Sequence, residues 1–287
     1  MRKLLARGET VPIPGVFSPS VALLAEKAGF RALYLSGAAF SGLLGLPDVG
    51  MVTSTEVAQA AAQITSRVDL PLIVDIDTGF GEVVNVARTV SEMERVNVAA
   101  VQIEDQVMPK RCGHLEGKEL VEPEGMVKKV VAARDASRNI VIVARTDAAS
   151  VKGIDSAVER ARLYVKAGAD VIFPEALRTR SEFKEFARKL DAPLLANMTE
   201  FGKTEYIAVS EFSKMGYELV IFPVTTFRVM MGSVRAALEE LSRNGTQKGL
   251  LKEMMTREEF YDLIDYDSYA RLDSSVDRKS KRFLDTN

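Results

Sequence analysis

The chain has 287 residues, 47% of them hydrophobic, and 38 Lys+Arg against 40 Asp+Glu give a net charge of −2. That length and apolar content suit one α/β barrel or two small domains, and the balanced charge advertises neither a nucleic acid nor an anionic membrane as partner. One cysteine excludes an intramolecular disulfide and suits a reducing cytoplasm, the basic start from Met1 to Glu9 lacks the apolar core of a secretory signal, and no run approaches the ~18 apolar residues of a spanning helix.

In chain order, short β-branched runs occur at residues 11–16, 32–35, 72–76, 99–103, 140–144, 171–173, 194–196 and 219–222. They are apolar on both faces, as strands of a covered parallel sheet are. The stretches between them read as helices. Residues 83–95 and 154–166 carry apolar side chains at three-and-four spacing, and Thr53-Ser54-Thr55-Glu56 offers capping-box chemistry. Gly29, Gly168 and Gly216, with Asn97 in the same part, close a helix just before a strand. Pro71 and Pro193 sit at strand starts, where no ladder donor is yet required. Eight β-then-α units predict a (β/α)₈ TIM-type barrel. A doubly wound open sheet would use fewer strands and a Gly-rich first turn, and the sequence has neither. The expected organisation is a catalytic barrel over residues 1–245, a helical extension over 246–273 and a loose polar tail over 274–287.

Active sites of such barrels sit where the strands end. One step past each run lie Ser36; Asp75 and Asp77; Glu104 and Asp105; Arg145 and Asp147; Glu175; Asn197; and Thr225, Thr226 and Arg228. A polar group from nearly every strand points to an enzyme, although βα loops are polar in general. Clustered carboxylates (Asp48, Asp75, Asp77 and Glu104) repel unless a cation lies between them, and hard oxygen ligands without nearby histidine suggest Mg²⁺ or Mn²⁺ rather than Zn²⁺. Arg145 and Arg228 suit carboxylates held in bidentate fashion. Cys112 lies among Lys110, Arg111 and the only histidine, His114. A lone cysteine is commonly a small buried hydrophobe, but cationic neighbours favour the thiolate and make this one an acid/base candidate. Gly79-Phe80-Gly81 lacks the glycine spacing of a phosphate cradle.

Lys110-Arg111-Cys112-Gly113-His114-Leu115 resembles the signature of the isocitrate lyase and phosphoenolpyruvate mutase superfamily. Tyr34-Leu35-Ser36-Gly37, Gly45-Leu46-Pro47-Asp48, Val74-Asp75-Ile76-Asp77-Thr78-Gly79, Glu104-Asp105-Gln106, Ala144-Arg145-Thr146-Asp147, Phe173-Pro174-Glu175-Ala176, Asn197-Met198-Thr199-Glu200-Phe201-Gly202 and Gly245-Thr246-Gln247-Lys248 resemble it too. The chain's length favours the methylisocitrate lyase branch. That resemblance implies Mg²⁺-assisted cleavage of 2-methylisocitrate to pyruvate and succinate. It also implies a homotetramer whose C-terminal helices, here residues 246–273, are exchanged between barrels. Carried over, Asp75 and Asp77 hold the metal, with Asp48 and Glu104 in its outer shell. Ser36, Gly37, Ala38, Cys112, Gly113, Arg145, Glu175, Asn197, Met198, Thr199, Arg228 and Arg257 contact the substrate. Cys112 is the acid that protonates the product carbon, near His114 and Arg145, and Tyr34 is a candidate base, as is a carboxylate acting through metal-bound water. Many relatives carry glycine at Ala38, so its methyl trims the pocket. A carboxyphosphonoenolpyruvate- or phosphoenolpyruvate-type phosphonomutase and an oxaloacetate-type hydrolase are the rival chemistries. A sensor barrel that binds a carboxylic acid is the non-enzymatic alternative.

Overall fold

The computed structural model describes residues 1–111, 113 and 117–284, apart from the side chain of Arg282. Cys112 and His114 therefore lie outside the described residues. The chain divides into two compact units, Met1–Val229 and Met230–Asn287.

In the first unit, the short helix α1 (Arg2–Leu5) precedes eight strands: β1 (Val11–Val16), β2 (Leu33–Leu35), β3 (Leu72–Asp75), β4 (Ala100–Glu104), β5 (Val141–Thr146), β6 (Val171–Pro174), β7 (Leu195–Asn197) and β8 (Leu219–Phe222). Each predicted run forms its strand. All pairings are parallel, in the order β6-β5-β4-β3-β2-β1-β8-β7. The two ends of that order meet in one parallel bridge, Ile172 to Leu194, with Ile172 N donating to Pro193 O at 2.9 Å. The result is the nearly closed (β/α)₈ barrel that the alternation predicts.

Between the strands run α2 (Pro19–Lys27), α3 (Gly37–Leu43), α4 (Ser54–Thr65), α5 (Val83–Arg95), α6 (Pro123–Ala136), α7 (Ala148–Lys152), α8 (Ile154–Lys166), α9 (Arg180–Lys189) and α10 (Val209–Met215). Local chemistry sets their ends. The capping box before α4 forms as read, with Thr53 N donating to Glu56 Oε2 at 2.8 Å and Glu56 N to Thr53 Oγ1 at 3.3 Å. Gly216 closes α10 at φ +86°, in the left-handed region that a side chain disfavours.

The pleat sorts the apolar residues into two cores. Val11, Ile13, Ala32, Ile73, Ala100, Val141, Val143, Val171, Leu195 and Leu219 fill the barrel interior, and Met1, Leu4 and Leu5 pack against them. Their neighbours one residue away, such as Leu33, Val74, Val101, Ile142 and Ile172, face the helices. Successive side chains on a strand alternate faces, so the same parity decides which polar residue reaches the mouth. Ala32, Tyr34, Ser36 form one inward series; Ile73, Asp75 and Asp77 another; Ala100, Gln102 and Glu104, then Val141, Val143 and Arg145, then Val171, Phe173 and Glu175, continue around the barrel.

Asp105 has the opposite parity and points into the helix layer. It accepts from Thr146 Oγ1 (2.8 Å), Asp147 N (3.0 Å), Tyr164 OH (2.8 Å) and Arg160 Nη1 (3.2 Å). It is a buried hub joining β4, β5 and α8.

The helix α11 (Thr225–Asn244) begins in the first unit and continues into the second. There a 3₁₀ turn (Lys248–Leu250), α12 (Arg257–Leu263) and α13 (Tyr266–Leu284) follow. The segment expected to be a loose tail from Ser274 is thus helical as far as Leu284. Its polar residues occupy a helix rather than a coil, because polarity alone does not oppose helix formation. The unit boundary at Val229 also precedes the expected one at residue 245, because α11 carries the chain across without a linker. No helix among the described residues is long and apolar enough to cross a membrane.

Replacing Asp105 with alanine leaves the buried Arg160 guanidinium without its carboxylate. The variant is expected to lose on the order of 3 kcal/mol of stability, read as a lower midpoint in urea unfolding.

Candidate active site

A cavity of roughly 230 Å³ opens where the strands end. It gathers residues from distant parts of the sequence: Tyr34, Ser36, Ala38, Asp48, Asp75, Gly113, Arg145, Glu175, Asn197, Thr199 and Arg228 all line it. Asp77, Glu104 and Gly37 stand directly behind these. Gly37 N donates to Asp75 Oδ2 at 3.2 Å, and Asp77 N to Asp75 Oδ1 at 3.1 Å. Asp77 takes φ +48°, a conformation that Asp tolerates better than most side chains. A Cβ on Gly37 would lie 3.1 Å from Asp75 Oδ2, so the bare backbone is what lets α3 start against this carboxylate. Ser36 caps α3, accepting from Ala39 N at 3.4 Å.

Arg145 is the centre of the mouth. Its Nε and Nη2 donate to Asp147 Oδ2 (2.9 Å) and Oδ1 (3.0 Å). Its Nη1 lies 3.1 Å from Glu104 Oε2 and 3.7 Å from Glu175 Oε2, and the guanidinium sits 5.4 Å from the centroid of Phe173. The bidentate fork expected to hold substrate is therefore turned to Asp147, and the Nη1 edge faces the other carboxylates. Burial disfavours the charged arginine, but Asp147, Glu104 and Glu175 outweigh it and hold its pKa well above the usual value.

The carboxylates show the opposite balance. Burial, then the charge of Asp77, pushes Asp75 up to about 6 against the pull of Lys110 and Arg145. Burial likewise holds Glu104 well above the usual carboxylate range despite Arg145. Among the described residues neither Glu104 oxygen has a hydrogen-bond partner. Lys110 bridges two carboxylates, forming an ion pair with Asp48 and lying 2.8 Å from Asp77 Oδ1. Their charge, with that of Glu104 and Asp75, overcomes burial and keeps its ammonium form.

Tyr34 lies on the cavity floor and donates to Gln102 Oε1 at 2.6 Å. Burial, reinforced by Asp75, raises its pKa well above the ordinary phenol value. A phenol that keeps its proton and spends it on Gln102 is poorly suited to the base role expected of it. Asn197 Nδ2 donates to Glu175 Oε2 at 3.2 Å, while its buried Oδ1 has no hydrogen-bond partner among the described residues and belongs to a residue that lines the cavity. Arg228 Nη1 donates to Glu200 O at 2.8 Å, and its guanidinium lies 5.2 Å from the Phe201 ring centroid.

Met198 departs from its expected place. It follows the inward Asn197, so the pleat turns it into the helix-side core, where its sulfur accepts from Ile207 N at 3.4 Å. Arg257 opens α12 of the second unit, just after the Thr256 cap. Cys112 and His114, expected as the acid and its companion, lie outside the described residues. Gly113 between them is described and buried: a Cβ there would stand 2.5 Å from Glu175 Cγ and 2.8 Å from Arg145 Nη2.

The model of the phosphoenolpyruvate phosphomutase family matches residues 1–242. A protein of Aeropyrum pernix named 2-methylisocitrate lyase is 57% identical over 99% of this chain and 92% of its own length. A Bacillus subtilis protein of the same name is 49% identical over 96% of this chain and 91% of its own. The crystal structure of 2,3-dimethylmalate lyase superposes with a TM-score of 0.89 at 36% identity, covering 96% of this chain and 93% of that one. This chain belongs to the phosphoenolpyruvate phosphomutase family.

The clustered carboxylates predict a divalent cation, and the side chains fit one. Among the described residues Asp48, Asp75, Asp77, Glu104, Asp147 and Glu175 outnumber Lys110, Lys118 and Arg145 in this cluster, and neither Glu104 oxygen has a hydrogen-bond partner there. Among the described residues no group of three or more Asp, Glu, His or Cys is placed to hold a metal alone. The fit is thus to a divalent cation that takes one or two carboxylates and completes its shell with other oxygens.

Sequence reasoning missed the two buried lysines of this phosphoenolpyruvate phosphomutase family site. In the sequence Lys110 stands only as a charge beside Cys112, and nothing singles out Lys118. Lysine is seldom buried unpaired, and nothing near either in the chain announces its distant partner. The sequence places Asp147 on the rim but gives it no role. Burial raises its pKa, but Arg145 and Lys118 prevail and hold it below the usual range. A carboxylate depressed in the folded state contributes stability above its unfolded pKa and loses it as pH falls through the folded one. Asp147→Asn is therefore expected to unfold at lower temperature than the parent at pH 7. The gap should narrow as pH falls below about 4, which melting curves across a pH series will measure.

Proposed function

We propose that this chain is a carbon–carbon lyase that cleaves 2-methylisocitrate to pyruvate and succinate. The observation that carries the reading is its identity, across nearly its whole length, to proteins named 2-methylisocitrate lyase. A small cavity with Arg145 and Arg228 on its walls suits a substrate with several carboxylates.

Mg²⁺, or Mn²⁺ in its place, held by Asp75 and Asp77 with Asp48 and Glu104 behind them, would supply a Lewis acid at the substrate's hydroxyl and neighbouring carboxylate. Arg145, Arg228, Asn197, Thr199, Ser36 and the backbone at Gly37 and Gly113 seat the carboxylates, and Ala38 trims the wall beside them. Arg257 is assigned to the substrate set on resemblance alone. The hydroxyl proton passes to a rim carboxylate, since Tyr34 holds its own proton against Gln102. The C–O bond then becomes the ketone of pyruvate, and the electrons of the broken C–C bond remain on the succinate carbon as an enolate. Arg145 stabilises that charge. The Cys112 thiol, with His114 beside it in sequence, gives a proton to the same carbon and completes succinate.

The single cysteine suits a reducing compartment such as the cytoplasm. We further propose a homotetramer that exchanges the helices of residues 246–273 between barrels. Sedimentation at micromolar protein should then give a tetramer mass.

The deciding assay is pyruvate release from 2-methylisocitrate by the purified protein with Mg²⁺, run beside isocitrate and scored for glyoxylate. Pyruvate with little glyoxylate is expected, and a chelator should abolish it until Mg²⁺ is restored. Silence on both acids would overturn the reading, and phosphorus NMR showing isomerisation of a phosphonate would replace it with a mutase. Cys112→Ser is expected to lower turnover by at least ~10²-fold, the span of a general acid, with metal binding unchanged by calorimetry.

A further inference from the structure

The stretch after β4 leaves the barrel and returns beside itself. Gln106 and Leu120 form an antiparallel bridge, with Val107 N donating to Glu119 O (2.8 Å) and Val121 N to Asp105 O (2.9 Å). Gln106 also grips the start of the loop, its Nε2 donating to Arg111 O at 2.8 Å and its Oε1 accepting from Arg111 N at 2.9 Å. Lys118 stands at the other end of the loop. Its side chain is buried, and its ammonium donates to Gly113 O (2.5 Å) and to Asp147 Oδ1 (2.8 Å). The same Asp147 oxygen accepts from Arg145 Nη2.

We propose that Lys118 is a positioning residue: it ties the backbone at Gly113 to Arg145 through Asp147, so that this loop and the substrate arginine are set as one unit. Stability alone gives little reason for a lysine here. A buried ion pair is often no more stable than apolar residues of similar volume, because both charges must leave water. What the ammonium offers is a fixed point shared by two elements, a loop carbonyl and the carboxylate that holds the Arg145 fork. The contact at Gly113 leaves no slack, since even a methyl would strike Glu175 and Arg145. Asp147 is itself fixed from below, its N–H bound to Asp105 Oδ1. The chain of contacts therefore runs from the helix layer through Asp105 and Asp147 to the mouth, and Lys118 extends it into the loop that carries the chain's only cysteine.

The inference rests on the lyase reading for its kinetic arm only. Because Cys112 is the sole thiol, its alkylation by iodoacetamide, followed by mass spectrometry without substrate, reports on the loop independently. Lys118→Met keeps the length and removes the donor; Lys118→Arg keeps charge and donors but adds bulk. The methionine variant is expected to lose about 10²-fold in kcat/KM, the cost of an ångström-scale misplacement, and to be alkylated several-fold faster. The arginine variant should recover most of both. A pure packing role predicts the reverse order, so an active Lys118→Met beside an impaired Lys118→Arg would overturn the proposal. Parent-like kinetics and alkylation in Lys118→Met would do the same. If Lys118→Met does not fold, Lys118→Arg decides: near-parent values support the tie, and fast alkylation with lost activity overturns it. If the parent releases no pyruvate, the lyase reading fails, and the alkylation rates alone decide the role of Lys118.

Discussion

The mouth of this barrel depends on the pairing of buried carboxylates with a small set of buried cations. Carboxylates that close to one another cannot all ionise in a low-dielectric site without compensation. Arg145 compensates three of them, and Lys110 and Lys118 extend the balance to either side. The compensation is incomplete around Glu104 and Asp75, whose carboxyls are pushed upward. A divalent cation among these carboxylates would complete the balance.

Much of this arrangement was legible in the sequence. All eight strands were visible because a parallel barrel buries both faces of each strand, leaving apolar runs that polar segments interrupt. The rim was visible because the first residues past a strand must be polar somewhere. Reading one step past each strand does not distinguish the two faces, and that is where the sequence reading lost resolution. Glu104 and Asp105 are adjacent and chemically alike, yet the pleat sends one to Arg145 at the mouth and the other to Arg160 and Tyr164. Met198 goes astray for the same reason: its neighbours Asn197 and Thr199 line the cavity, and it does not. Counting parity back from the apolar interior residues, Val141 and Val143 to Arg145 for example, would have separated them.

What remained illegible was long-range pairing. That Arg145 would spend its fork on Asp147, two residues away, was within reach of the sequence. That Lys110 would face Asp48 and Asp77, or Lys118 would meet Asp147, was not, because loop geometry decides it. The C-terminal polar stretch misleads on another ground: its composition suggests looseness, whereas α13 is a helix most of whose described polar residues stay exposed.

The barrel is not equally stitched around its circumference. Seven neighbouring pairs share ladders, but β6 and β7 meet through one bridge. This is a seam, and the side-chain bond from Asn197 to Glu175 fastens its upper lip. A ligand that engages both residues spans the two sides like a clasp, so part of its binding free energy appears as resistance of the barrel to opening. The first backbone amides to exchange with solvent should be those along this line, and the occupied cavity should slow them more than any others in the sheet. For such a ligand, recognition and closure of the fold become, along this one edge, the same event.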